Sequence, residues 1–228
     1  MNGSLAKVTV VTGVLALVMG SGSLAFSKEA AKAKEAPNAM APAEEKAAAP
    51  AADQQQGKAG MTEEMMAKWK EYATPNENHK ILDQLIGDWE YSIKSWMSPD
   101  AQPEESTGTA QAKWIMDGRF VEQTVQGMHM GEPFHGQEVT GFDNATKEYV
   151  STWLDSMGTG MMIAKGSYDS GTKTLTESGD FMCPLRGQMK FRWETKVIDQ
   201  DNYIFECYTN DQSGQEYKSM EITYKRKT

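Results

Sequence analysis

The chain has 228 residues, a formal net charge of −9 and a pI near 4.9. A surface this acidic repels phosphate backbones, so the composition argues against a nucleic-acid partner. The sequence has no cluster of lysine and arginine residues of the kind that binds anionic lipid. The length allows one domain or two small ones.

Residues 1–25 have the pattern of a secretory signal peptide. Lys7 supplies the positive start, residues 8–19 form a short apolar run, and the small residues Ser23 and Ala25 mark a cleavage site. The run is too short to cross a bilayer of about 30 Å as a helix. We therefore expect cleavage after Ala25 and export to the periplasm or the exterior, with an uncleaved N-terminal anchor as the alternative.

Residues 26–60 have the composition of a linker. They are rich in Ala, Pro, Lys, Glu and Gln, and no aromatic residue follows Phe26. Such a segment cannot bury enough apolar surface to offset the entropy lost on ordering. Pro37, Pro42 and Pro50 interrupt the helix that its other residues favour. We expect a disordered linker that leads to one domain over residues 61–228, with no transmembrane segment in the mature chain.

One or two short helices are predicted at the start of this domain. Thr62 can cap the first helix, and Pro75 ends it. The second begins near Asn76 and ends at Gly87, where a helix C-terminal glycine belongs.

After Gly87 the sequence changes to the alternation that is typical of strands. In residues 189–197, Met189, Phe191 and Trp193 alternate with charged side chains, so one face is buried and the other is wet. Turn-forming clusters lie at 98–100, 117–118, 131–133, 143–144, 169–171, 199–202 and 211–214, with longer loops expected at 155–160 and 183–187. These breaks predict an all-β domain, an antiparallel up-and-down barrel of about ten strands. A two-sheet sandwich is the alternative, because it shows the same alternation.

The two ends of the strand region are consistent with a closed barrel. Residues 87–89 open the first strand and residues 224–226 close the last. In a closed barrel these strands are neighbours, so Arg226 can stack on Trp89 as a structural plug at one end. The Gly-x-Trp start resembles that of the calycin superfamily, the lipocalin-like barrels.

A more specific resemblance rests on blocks that occur in order along the domain. They are Tyr-Ala-Thr-Pro-Asn-Glu-Asn-His at 72–79, Leu-Ile-Gly-Asp-Trp-Glu-Tyr at 85–91, Glu-Glu-Ser-Thr-Gly at 104–108, Gly-Arg-Phe at 118–120, Thr-Gly-Phe-Asp-Asn at 140–144 and the run 149–160. Together they resemble the domain-of-unknown-function family 1579, bacterial proteins that are often exported and are grouped with the calycin-like barrels. The resemblance implies this barrel and export. It implies no activity and supplies no catalytic residues.

Strand phase predicts the side chains that point into the barrel. A barrel of ten strands can leave a cavity for a small ligand, and such pockets are usually apolar and aromatic. The expected ligand-binding residues are Tyr91, Ile93, Trp153, Phe191, Trp193 and Phe205, with Asp155 at the barrel mouth. Asp155 could orient a ligand or cap its turn. The partner would be a small apolar or aromatic ligand. The alternative is a filled barrel in a structural or interaction protein of the cell envelope.

Catalytic, metal and cofactor sites are not expected. The chain has three histidines, His79, His129 and His135, and none is paired at helical metal-ligand spacing. A site formed by His129, His135 and Asp143 would need a further ligand and supporting groups. The sequence contains no Gly-x-Ser-x-Gly elbow, no His-Glu-x-x-His and no phosphate-binding loop. An enzyme is therefore the least favoured function.

The chain contains 16 methionines, an unusual number. Thioethers suit Cu(I), and the candidates for such a site are Met128, Met130, Met157, Met161, Met162, Met182 and Met189. Because these residues are spread through the domain, the sequence favours packing or an adaptable apolar pocket.

Cys183 and Cys207 are expected to be free thiols. The strand assignment puts one strand between them, which implies a separation of about 9–10 Å at roughly 4.8 Å per strand. A disulfide needs Cα atoms within about 7 Å.

Overall fold

The computed structural model of the protein describes residues 60–129 and 131–228. The predicted signal peptide, and the predicted linker up to residue 59, lie outside the described residues. The described chain begins with α1 (Glu63–Ala73), α2 (Glu77–Lys80) and a 3-10 helix (Ile81–Leu85). None of the helices in these ranges is both long enough and apolar enough to cross a bilayer.

Ten strands follow. They are β1 (Gly87–Ser95), β2 (Glu104–Ile115), β3 (Phe120–His129), β4 (Glu132–Asp143), β5 (Glu148–Asp155), β6 (Met162–Asp169), β7 (Thr174–Cys183), β8 (Gly187–Val197), β9 (Asn202–Asn210) and β10 (Glu216–Arg226). Each strand pairs antiparallel with its neighbours in the chain, and β1 pairs with β10 to close the barrel. The predicted up-and-down barrel is confirmed, and closure excludes the two-sheet sandwich.

Two local features differ from the sequence prediction. The expected second helix is split into α2, which Asn76 caps by accepting the backbone N–H of Asn78 at 2.9 Å, and the separate 3-10 helix. The expected long loop at 183–187 is a tight turn, because β7 and β8 stay paired as far as Cys183 and Gly187.

Aspartates shape several of the turns. Asp143, Asp169 and Asp211 each accept a backbone N–H from two or three residues further along, at 2.7–2.8 Å. Such contacts let a short polar side chain stand in for a backbone turn. At Asp143 and Asp169, these backbone donors hold the pKa of the carboxyl below its ordinary value, since they favour the ionised form.

The 3-10 helix closes one end of the barrel. Its Leu82 is 1% exposed and packs with inward-facing residues of four strands. These residues are Ala112, Val121, Tyr149 and Leu175. The hydroxyl of Tyr149 also donates to the carbonyl of Asn78 at 2.8 Å, which fastens α2 to β5.

Trp89 and Arg226 meet at this closed end. They are opposite each other in the β1–β10 pair, and the guanidinium lies 4.1 Å from the ring centroid. Trp89 is fully buried and donates its indole N–H to the carbonyl of Leu85 at 2.9 Å. Arg226 donates to the carbonyl of Ile86 at 2.6 Å. The pair therefore joins the first strand, the last strand and the helical segment, a position that gives it a structural role.

The main core fills most of the barrel. Its buried members come chiefly from β1, β8, β9 and β10. They are Trp89, Tyr91, Ile93, Ala110, Val125, Phe134, Met162, Ala164, Phe191, Trp193, Val197, Tyr203, Cys207, Met220, Ile222 and Tyr224. Cys183 and Cys207 are both buried, and no disulfide joins them.

Candidate functional site

A cavity of about 70 Å³ remains inside the barrel. Its walls are formed by Leu85, Tyr91, Gln123, Val125, Glu138, Thr140, Trp153, Met162, Leu175, Trp193, Thr195, Tyr203, Phe205, Cys207, Met220, Ile222 and Tyr224. A buried apolar cavity of about 150 Å³ is enough to hold benzene, and pockets for drug-sized ligands reach about 300–1,000 Å³. The cavity therefore has room for a guest of only a few non-hydrogen atoms.

The predicted ligand-binding residues divide into two groups. Tyr91, Trp153, Trp193 and Phe205 lie on the cavity wall. Ile93 and Phe191 are buried in the core but do not line this cavity. Both are buried as the alternation predicts, and Phe191 lines a second, smaller cavity of about 20 Å³ instead.

Asp155 lies off the cavity wall and holds Trp153 in place. Its carboxylate accepts the indole N–H of Trp153 at 2.8 Å and the backbone N–H of Met157 at 2.9 Å. These contacts show that Asp155 caps its turn and orients an aromatic wall residue.

A glycine makes room for the Trp153 ring. A Cβ placed on Gly136 would lie 2.4 Å from Cη2 of Trp153, far inside van der Waals contact. Gly136 is on β4, the strand paired with β5, and its neighbour at the next inward position is Glu138. The absence of a side chain at Gly136 therefore lets the indole lie flat against the wall beside Glu138.

Four polar side chains form a buried chain across β4, β5 and β7. Thr140 Oγ1 lies 3.2 Å from Glu138 Oε1 and 2.7 Å from Ser151 Oγ. Ser151 Oγ lies 2.8 and 2.9 Å from the two carboxyl oxygens of Glu177. Glu138 and Thr140 face the cavity, whereas Ser151 and Glu177 lie behind them, 0% and 3% exposed. The sequence prediction missed this chain.

The number of protons shared by these four side chains decides whether all of their hydrogen bonds can form. Its three links join two carboxyl groups through two hydroxyls. Each hydroxyl has one proton to donate, and an ionised carboxylate has none. Two protons cannot make three hydrogen bonds, so every link is satisfied only when one of the carboxyl groups is protonated.

The surroundings of the carboxyl groups favour that extra proton. Burial raises the pKa of Glu138 from 4.5 to about 7. Burial, with the nearby Glu138 charge, raises the pKa of Glu177 to about 8. Both shifts follow from removing a charge from water with no cation to compensate it. Glu138 keeps some accessible surface because it faces the cavity, whose largely apolar walls solvate a charge less well than bulk water does.

Tyrosines supply most of the remaining polar atoms at the cavity. Tyr203 accepts a hydrogen bond from Gln123 Nε2 at 2.7 Å, and its ring stacks on Tyr224 with centroids 4.2 Å apart. Tyr91 donates to the carbonyl of Gln126 at 3.3 Å, and burial raises its pKa to about 12. Because burial raises the pKa of all three phenols, they stay protonated near neutral pH.

The missed residues had a signal in the sequence. On β3, Gln123 lies between Val121 and Val125 at inward positions. On β7, Glu177 follows Leu175 by two residues and shares its face. When the alternation of a strand places a polar or acidic residue on the buried face, the pattern predicts a polar group inside the barrel. Composition alone assigns these residues to the acidic surface.

The metal-binding candidates are not brought together. His129 is buried at the end of β3, His135 is exposed on β4, and Asp143 caps a turn at the opposite end of that strand. Within residues 60–129 and 131–228, no group of three or more His, Cys, Asp and Glu side chains is placed to hold a metal. Burial raises the pKa of Cys207, on the cavity wall, to about 11, so its thiol is a poor nucleophile near neutral pH.

The methionines are also dispersed. Met162 and Met189 are buried, whereas Met128, Met157, Met161 and Met182 are exposed. Met130 lies outside the described residues. Met162 and Met220 line the cavity, where a flexible thioether can adapt to a guest.

Comparisons with known proteins agree with this architecture. A family model described as "Protein of unknown function (DUF1579)" matches residues 74–226. No curated protein matches the chain. The crystal structure of Rv2717c from M. tuberculosis is 13% identical with a TM-score of 0.50, over 68% of this chain and all of that one. A redesigned beta barrel is 16% identical with a TM-score of 0.34, over 65% of this chain and 96% of that one. At 13% identity, the likeness to Rv2717c shows a shared fold alone.

Proposed function

The chain belongs to DUF1579, a family of proteins of unknown function, and from its site we propose that it is an exported protein that binds a small ligand inside its barrel. The observation that carries this proposal is the cavity, whose walls combine aromatic rings with the polar atoms of Gln123 and Glu138. This combination is typical of ligand pockets, in which apolar walls supply affinity and a few polar groups fix orientation.

Burial of the polar groups supports a binding role over a purely structural one. Placing a carboxyl group in an apolar interior is costly unless it is well paired, and a core of apolar side chains would avoid the cost. Here two carboxyl groups, Glu138 and Glu177, lie inside the same barrel. A function that uses an interior polar group accounts for them.

The volume limits the ligand. About 70 Å³ excludes the lipid-like compounds that a wide barrel would admit. The ligand is therefore a compact molecule whose apolar part contacts rings such as Trp153 and Trp193, and whose polar part reaches Glu138. The signal-peptide pattern of residues 1–25 and the linker composition of residues 26–60 support the proposal that it acts in the periplasm or the exterior.

The test is native mass spectrometry of the protein exported to the periplasm and purified gently, with the denatured sample as the reference mass. We expect an adduct that is lost on denaturation. The matched pair of variants is Val125→Phe, which fills the cavity, and Gln126→Phe, which adds the same ring on the outer face of β3. The adduct should disappear in Val125→Phe and persist in Gln126→Phe.

Two outcomes would overturn this function. One is a bare mass in the wild-type protein together with no binding of small apolar or polar probes by NMR. The other is an adduct that survives in folded Val125→Phe, because a ligand outside the cavity would not respond to a ring placed within it. Circular dichroism establishes that both variants retain the barrel.

A further inference from the structure

The cavity also points to the charge of its ligand. Resting on the proposed function, we infer that the ligand is a small organic cation, whose positive group lies against the Glu138 carboxylate and whose remaining surface lies against the aromatic rings of the wall.

Glu138 has hydrogen-bonding capacity that faces the cavity. Its Oε1 accepts a hydrogen bond from Thr140 Oγ1 at 3.2 Å. Among the described residues, no hydrogen bond is made to its Oε2. The residue lines the cavity and points inward between Gly136 and Thr140. An ionised carboxylate accepts up to about four hydrogen bonds, so a donor in the cavity finds free lone pairs.

No protein cation compensates this group. Among the described residues that line the cavity, none is a lysine, an arginine or a histidine. Across the same part of the chain, no ion pair includes Glu138 or Glu177. A guest with a positive charge would supply the partner that the protein does not.

The titratable groups around Glu138 are acids. Glu177 lies behind it on β7, and the phenols of Tyr203 on β9 and Tyr224 on β10 feel its charge. Tyr91 on β1 and Cys207 on β9 complete the titratable groups of the wall. The nearest basic group in this set of interactions is Arg226, which is stacked on Trp89 at the closed end and acts on Tyr203. The cavity is therefore electrostatically suited to a cation and unsuited to an anion.

Aromatic faces supply the second element of cation recognition. Trp153 and Trp193 line the cavity, and tryptophan is the best of the aromatic residues at attracting a cation over its ring face. The indole of Trp153 is fixed by Asp155 at 2.8 Å, and Trp153 and Glu138 are cross-strand partners. A positive group beside Glu138 therefore lies next to a ring that is already oriented.

Size selects among cations. A volume of about 70 Å³ admits guanidinium or a short alkylammonium ion but not a larger amine. Guanidinium and urea form a matched pair of probes, because they are planar and nearly the same size but differ in charge. The same comparison separates recognition of charge from simple filling of space.

Binding of a cation is linked to the proton of the buried chain. A cation needs Glu138 ionised, so ligand and proton compete for the carboxyl group. Because the pKa of Glu138 is raised to about 7, the competition falls within the accessible pH range. Cation affinity therefore rises from pH 6 to pH 8, whereas the affinity of a neutral guest does not.

The experiment is a titration of the mature protein with guanidinium chloride or urea, both at low millimolar concentration and constant ionic strength, followed by the indole N–H signals of Trp153 and Trp193. We expect saturable shifts with guanidinium, an affinity about tenfold higher at pH 8 than at pH 6, and little response to urea. Glu138→Gln should weaken guanidinium binding at least tenfold. Glu132→Gln makes the same charge change at an exposed position of β4 and should have no effect.

The outcomes separate this inference from the proposed function. Binding of urea equal to that of guanidinium, or cation binding with no pH dependence in the wild-type protein, overturns the inference and leaves a ligand-binding barrel. The pH comparison needs no variant, so it decides the question even where Glu138→Gln fails to fold. Absence of binding by either probe, combined with a bare mass in the native spectrum, overturns both.

Discussion

The two halves of the barrel wall are built differently. The aromatic half, formed by β8, β9, β10 and β1, turns large apolar side chains inward, for example Trp193, Ile222 and Tyr91. The polar half, formed by β3 to β7, places Gln123 and the four linked side chains Glu138, Thr140, Ser151 and Glu177 among its apolar residues. The first half stabilises the fold by burial, and the second places hydrogen-bonding groups where a ligand can meet them.

The difference shows how a small barrel accommodates interior polarity. The carboxyl groups of the polar half are linked through Thr140 and Ser151. The hydrogen bonds of this network offset part of the free-energy cost of burying the two groups. A fully satisfied network rigidifies an interior, whereas a partly satisfied one is worse than an apolar core. The turn aspartates show the opposite behaviour, because their backbone donors favour ionisation.

The largest expected effect comes from breaking the aromatic half. Trp89→Ala removes a fully buried indole and the ring under Arg226. We expect the free energy of unfolding to fall by about 4 kcal/mol, as for other deletions of large buried aromatic residues. Urea unfolding measures it. Met182→Ala, at a side chain that is 72% exposed, is the control and should change stability by less than about 0.5 kcal/mol. Equal effects in the two variants would contradict this account of the core.

The next prediction concerns the polar half and the pH dependence of the free energy of unfolding. The carboxyl groups of Glu138 and Glu177 have raised pKa values in the folded protein, so the folded state binds more protons than the unfolded state between about pH 5 and pH 8. The stability they contribute is fully present below pH 4.5, their ordinary pKa, and is lost as the pH rises through about 7 to 8.

Glu177→Gln should therefore flatten the pH dependence. At pH 7 the variant should be more stable than the wild-type protein by about 3 kcal/mol, because each pH unit between the ordinary pKa of 4.5 and pH 7 costs the wild-type fold about 1.4 kcal/mol. Urea unfolding at pH 5, 6.5 and 8 measures the slope. Glu132→Gln is the matched control. A variant with the wild-type slope would show that Glu177 is ionised throughout this range.

A smaller effect comes from cutting the link between the two carboxyl groups. Ser151→Ala removes the hydroxyl that joins Thr140 to Glu177, so Glu177 loses its hydrogen-bond partner and Thr140 keeps only Glu138. We expect a loss of about 2 kcal/mol, the usual cost of unsatisfied buried polar groups. Ser178→Ala, at an exposed position next to Glu177 in the chain, is the control and should be neutral. Thermal unfolding at pH 6 compares the two variants. Equal stability would mean that the hydrogen-bonded chain of polar side chains does not stabilise the fold.

The smallest effect is at the edge of the cavity. Asp155→Ala removes the acceptor for the Trp153 indole and for the backbone of Met157. We expect a loss of about 1 kcal/mol, because the site is partly exposed and water can replace the carboxylate. The NMR signal of the Trp153 indole N–H should shift. An unchanged indole signal would exclude the orienting role of Asp155.

The barrel follows from local patterns in the amino-acid sequence. Regular alternation after Gly87 and turn residues at each break give the strand number, and a side chain on a strand has only two faces to choose from. The same rule placed Tyr91, Trp193 and Phe205 inside. The size of these side chains and their two-residue spacing are local properties of the sequence, so the sequence alone is enough to place them on the inward face.

Local patterns do not show which inward side chains line the cavity or which polar groups contact one another, because both depend on how the strands pack together. Glu138 and Glu177 are far apart in the chain, and Thr140 and Ser151 connect them because β4, β5 and β7 are brought side by side in the closed wall. The cavity depends on how the facing rings fill the interior, a property of summed volumes that no single strand contains. Alternation specifies a face, whereas distance and enclosure arise when ten strands close around a common space.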